Sequence, residues 1–144
     1  MNTNKRTAKV LEEMKINTKI KLSALWVVLM FCYTYADILG FYAPGNLEEL
    51  ISGEIAGIQM TQGLLLGSAV LMAIPSVMVF LSLTLKAKVN RLVNIIVGIV
   101  YLGVLGSTFL TGRNPAYYIL YAILKAMLIA LIVWHAWKWP QKES

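Results

Sequence analysis

The sequence predicts an all-α protein: a four-helix transmembrane bundle, threaded up-down-up-down, with both termini cytoplasmic. Three observations carry that reading. The 144 residues are 58% apolar and 14% charged, whereas a soluble globular chain is about 45–50% apolar and about 25% charged. The apolar residues gather in four runs, each long enough for the roughly 20 residues that a helix needs to cross a hydrocarbon core. The basic residues collect at alternate ends of those runs. Length allows one domain. Composition excludes disorder and, with Cys32 the single cysteine, a disulfide scaffold; it argues against an ordinary soluble enzyme.

Residues 1–21 form a basic segment with Val10, Leu11 and Met14 at helical spacing. So thin an apolar stripe suits a solvated topology anchor better than a helix lying on lipid. The first span, 22–42, contains one charge, Asp37. It is longer than the roughly 7–15 apolar residues of a signal core, and no small-x-small cleavage site follows, so it is expected to stay in the protein. The second span, 60–85, and the third, 92–110, carry no charge. The fourth, 117–137, encloses Lys125, and 138–144 forms a short tail. None of the runs alternates with period two, and lipid offers no partner to an open sheet edge, so all four read as helices. The connections 86–91 and 111–116 are short enough to make consecutive helices antiparallel neighbours.

Of the 13 lysines and arginines, 11 lie before the first span, between the second and third, or after the fourth. The opposite side has Arg113 and a first loop, 43–59, with Glu48, Glu49 and Glu54 and no base. Basic residues remain cytoplasmic, which places both termini inside and makes the protein a multi-pass inner (plasma) membrane protein. Bases at cytoplasmic span ends need no nucleic acid to explain them. Trp134, Trp137 and Trp139 mark the inner boundary of the fourth span, and Tyr117 and Tyr118 the outer one.

Intramembrane polar groups are the candidate site, because each ionisable side chain costs about 2.5–3.5 kcal/mol at the membrane centre on insertion scales. Asp37 lies roughly 7–8 Å below the outer boundary and Lys125 about 12 Å below it. In an up-down bundle the first and last helices are neighbours, so the two are expected to pair. Helical spacing puts Trp26, Met30, Tyr33, Asp37 and Gly40 on one face. Tyr117, Tyr121, Lys125 and Leu128 share another, as do Asn94, Gly98, Tyr101, Leu105 and Thr108. Gln59 and Gln62 share the outer end of the second span. Tyr33, Asp37, Gln62, Tyr121 and Lys125 should therefore converge in the outer half, with Tyr101 near mid-depth and Asn94 closer to the cytoplasm. Either they form a pocket open to the outer face, or they only hold the helices in register. Gly63 and Gly67 form a G-x-x-x-G suited to close helix packing, with Gly103 and Gly106 a second small face. Pro75 kinks the second span and frees the Leu71 carbonyl, which can line a cavity or accept from a neighbouring helix.

One histidine, His135, and one cysteine make no metal site, and no phosphate loop, dinucleotide fingerprint or nucleophile elbow is present, so no cofactor is expected. The segments Leu25-Trp26, Tyr35-Ala36-Asp37-Ile38-Leu39-Gly40 and Gly57-Ile58-Gln59-Met60-Thr61-Gln62-Gly63 carry a resemblance. So do Ile74-Pro75, Asn90-Arg91-Leu92-Val93-Asn94-Ile95-Ile96 and Trp137-Lys138-Trp139. From Lys21 onward the chain resembles a family of small bacterial four-helix membrane proteins known only as a domain of unknown function. The resemblance implies the four-span architecture and brings no activity. A looser likeness is to the small multidrug carriers, whose first-helix acid lies nearer mid-membrane and lacks a lysine partner. Three functions follow in order of preference. The first is small-molecule or ion binding or transport through the outer pocket. The second is a structural or accessory subunit, and the third a membrane enzyme acting on a lipid or quinone. The expected partners are the bilayer and either a second copy or a larger membrane complex.

Overall fold

The computed structural model describes residues 13–55, 57–111 and 114–140. The N-terminal bases up to Arg6 and Lys9, the apolar pair Val10 and Leu11, Arg113 and the last four residues lie outside them. Five α-helices and one two-stranded hairpin follow in order: α1 Thr18–Phe41, α2 Asn46–Ser52, β1 Glu54–Ile55, β2 Ile58–Gln59, α3 Gln62–Thr84, α4 Ala87–Thr111 and α5 Ala116–Trp137. Four of the helices, α1, α3, α4 and α5, are long and apolar enough to cross a membrane. The fold is the all-helical four-span bundle that the composition implies.

Helices extend beyond the oily runs because polarity does not end a helix; caps and breakers do. α1 begins at Thr18, where the Asn17 side chain accepts from the Lys19 backbone N–H at 2.9 Å. α4 begins at Ala87 and carries Lys88 and Arg91, both good helix formers, before its apolar part. Thr61 caps α3 by accepting from the Leu64 N–H at 3.2 Å, and Pro115 stands just before α5. The acidic loop is more ordered than its sequence suggests. It holds α2 and the hairpin, with Glu54 opposite Gln59 and Ile55 opposite Ile58. Gly53 ends α2 at φ 83°, a left-handed conformation that residues with a Cβ avoid.

Side-chain contacts define the threading. Lys19 reaches the Leu83 carbonyl, Ser23 the Val79 carbonyl and Met30 the Ser76 hydroxyl, so α1 and α3 run antiparallel. Trp26 meets Asn94 and Tyr33 meets Tyr101, so α1 and α4 run the same way. α1 packs along both α3 and α5, and α4 packs along α5. A short connection does join α3 to α4, yet these two helices approach each other only sparsely. At mid-depth the Tyr101 hydroxyl donates to the Leu71 carbonyl, so a tyrosine side chain stands between the two backbones. This is the carbonyl that Pro75 leaves free, and α3 runs unbroken through that proline.

The core is concentrated at the basic end of the bundle. Leu22, Trp26, Leu29, Met78, Ile129, Ile132 and Ala136 are at most 2% exposed. Gly98 lets α4 and α5 approach closely: a Cβ there would stand 2.6 Å from Val133 Cγ2. At the acidic end α3 is exposed on every side from Gln62 to Val70. The expected internal packing of the G-x-x-x-G pair does not occur: a Cβ on Gly67, Gly103 or Gly106 would meet nothing within 4 Å, and one on Gly63 would meet only Thr61 of its own cap.

Candidate functional site

Lys125 lies on the buried stripe of α5 with Ala122 and Ile129, and is 3% exposed. Its amine stands 4.4 Å from the centre of the Tyr33 ring and 5.1 Å from that of Tyr118. Tyr33 comes from the buried stripe of α1, and its ring meets Tyr101 edge-to-face at 6.2 Å. Ring faces carry negative charge density, so two of them can hold a cation where water cannot. The Tyr33 hydroxyl is buried and has no hydrogen-bond partner.

Asp37 is one helical turn beyond Tyr33 but on the edge of the α1 stripe, exposed at the bundle surface. It lies within electrostatic range of Lys125, yet the two make no direct ion pair. The buried stripe of α1 includes Leu22, Trp26, Leu29, Tyr33 and Ala36. A carboxylate at position 37 is rotated past it, and the amine settles on aromatic faces instead. Of the residues expected to converge, the structure brings Tyr33 and Lys125 together with Asp37 nearby, and Tyr101, expected near mid-depth, packs on Tyr33. The Tyr101 hydroxyl is taken by Leu71. Tyr121 is only half-buried, and Gln59 and Gln62 are exposed on the hairpin and at the start of α3. Tyr118 was legible only as a boundary aromatic; its position one helical turn before Tyr121 and two before Lys125 was the available signal.

A second polar cluster lies in the basic half. Trp26 Nε1 donates to Asn94 Oδ1 at 2.7 Å, and Asn94 Nδ2 donates to Asn90 Oδ1 at 2.7 Å and to the Asn90 carbonyl at 2.9 Å. Asn90 Nδ2 donates to the Ser82 carbonyl at 2.6 Å. The Ser82 hydroxyl completes the ring toward Asn94 Oδ1 at 3.4 Å. All four side chains are fully buried. In the sequence Asn90 stands out only within the segment 90–96 that carries the resemblance, because it falls in what reads as a connection; its spacing of four to Asn94 was the further signal. Saturated bonding marks this cluster as a structural clamp, whereas Tyr33 and Lys125 retain unused polar capacity. Among the described residues no group of three metal-ligating side chains occurs.

Residues 8–144 match a family model described as a family of unknown function, DUF6326, and the chain belongs to that family. No curated protein and no solved structure matches it. Of the segments that carried the resemblance, Trp26, Asn90 and Asn94 form the clamp, and Pro75 frees the carbonyl that Tyr101 takes.

Proposed function

Because membership of a family of unknown function brings no activity with it, we propose a function from the geometry: binding or transport of a small anionic or polar solute at Lys125. The observation that carries it is an almost fully buried lysine with no carboxylate on its amine, packed on a tyrosine whose hydroxyl has no partner. A ring face contributes about 2 kcal/mol or more to a cation when desolvated, so two of them are comparable with the insertion cost of about 2.5–3.5 kcal/mol for a lysine at mid-membrane. The rings therefore make the charge tolerable and leave its N–H donors for a ligand. The Tyr33 hydroxyl supplies a further donor. Asp37, exposed toward the acidic end and within electrostatic range, competes for the amine and offers a route for release. In this reading the basic end faces the cytoplasm of a plasma membrane and the solute enters from the opposite face.

The test uses the purified chain in lipid nanodiscs with ¹⁵N-labelled lysine, the Lys125 signal being assigned by its loss in Lys125→Gln. Titration with chloride, inorganic phosphate and glutamate should shift that signal with at least one probe. Tyr33→Phe, which keeps the ring, should weaken the response. A Lys125 signal indifferent to all three would overturn the reading.

A second reading, an accessory membrane subunit, rests on the open glycine-bearing faces of α3 and α4 beyond Tyr101. A second copy or a larger membrane protein seated there would protect the thiols of Gly67→Cys and Gly103→Cys variants from a lipid-soluble thiol reagent, with Cys32 replaced by serine.

A further inference from the structure

The basic end carries a feature that neither the clamp nor the Lys125 site uses. Between the start of α4 and the end of α5 lies a groove of about 800 Å³. One wall presents Lys88, Arg91, Leu92 and Ile95, and the other Trp137 and Trp139. Such a volume falls in the range of small-ligand sites, about 300–1,000 Å³. Lys88 and Arg91, three residues apart, share one helix face, so two like charges stand side by side. The Arg91 guanidinium lies 5.6 Å from the centre of the Trp137 ring, which holds it at the groove. Among the described residues no carboxylate pairs with either base. Ile95 lies one turn further along α4, about 6 Å deeper toward the bilayer centre. The groove is thus cationic at its rim and apolar below, between tryptophans of the kind that seat at headgroup level.

We propose that this groove binds one anionic phospholipid. Its phosphate sits between Lys88 and Arg91, its glycerol region against Trp137 and Trp139, and an acyl chain along Leu92 and Ile95. The phosphate relieves the repulsion between the two bases. The apolar wall selects a lipid over a soluble anion, because only a ligand with a hydrocarbon chain gains from covering Leu92, which is 58% exposed.

Native mass spectrometry of the full chain in non-ionic detergent tests this, with phosphatidylglycerol or phosphatidylcholine added. The expected result is retention of phosphatidylglycerol, weakened roughly 30-fold in Lys88→Gln/Arg91→Gln and roughly fivefold in Lys88→Gln alone, from the worth of each base near an anionic headgroup. Lys88 is exposed, so the single variant reports on the site even if the double variant folds poorly. Lys86→Gln/Lys138→Gln removes the same charge outside the groove and should leave retention unchanged. Three outcomes would overturn the proposal: equal loss in both double variants, equal retention of phosphatidylcholine, or displacement of the lipid by inorganic phosphate.

Discussion

Replacing Asn94 with leucine isolates the clamp. The amide accepts from Trp26 and donates to Asn90, with both bonds at 2.7 Å and every participant buried. Leucine is similar in size, so packing changes little, but the Trp26 N–H and the Asn90 Oδ1 lose their partners. An orphaned buried polar group costs about 1–3 kcal/mol, which sets an upper expectation of about 2–6 kcal/mol for two. Interhelical hydrogen bonds in membranes average about 0.6 kcal/mol, with a maximum near 1.7, because the separated helices also find partners. Trp26 and Asn94 are on different helices and follow the smaller value. Asn90 and Asn94 lie on one helix, so that bond survives separation and contributes little to the difference. The expected loss is therefore about 1–2 kcal/mol, measured by reversible unfolding in mixed micelles. A cycle with Trp26→Phe should give a coupling of about 0.6–1.7 kcal/mol. Full additivity of the two single costs would refute a direct bond between them.

Gly98→Ala should cost about 1–3 kcal/mol in the same assay, because the new methyl meets Val133 at 2.6 Å; Val133→Ala should recover most of it. Tyr101→Phe should cost about 0.6–1.7 kcal/mol, and less in a Pro75→Ala background, where α3 regains the N–H that satisfies the Leu71 carbonyl. Asp37→Asn should leave the fold as stable or slightly more so, since it removes a charge within the first span from a side chain that makes no direct ion pair. Lys125→Met should likewise leave the fold as stable or more so, since removing an intramembrane charge offsets the lost ring contacts, while abolishing any anion response. Unfolding midpoints and probe titrations separate these outcomes.

The spans were legible because a hydrocarbon solvent imposes its demand on every residue of a helix. Among the described residues the four long helices depart from their apolar runs by only a few residues, and the extensions that begin at Thr18 and Ala87 take in Lys19, Lys21, Lys88 and Arg91. Much of the inward face of α4 was also legible: Asn94, Gly98, Tyr101 and Leu105 are buried as their spacing implies. The expected contact of Asp37 with Lys125 was less so. Depth along the membrane follows from counting residues, whereas a rotation of one position about the helix axis moves a side chain by about 100°. That rotation buries Ala36 in the bundle and leaves Asp37 at its surface.

Composition, run length and the distribution of bases therefore suffice to specify a four-helix membrane protein, since transfer into lipid is a sum over residues that needs no knowledge of neighbours. Which helices touch, and which polar groups meet, is a property of pairs. Apolar helices gain little from choosing one apolar neighbour over another in lipid. The choice falls to a few shape and hydrogen-bond terms: the missing Cβ of Gly98, the Asn90–Asn94–Trp26 clamp, and the Tyr101 hydroxyl on the carbonyl released by Pro75. Those same few contacts close the basic half and leave the acidic half open, with Lys125 held by tyrosine rings at its base.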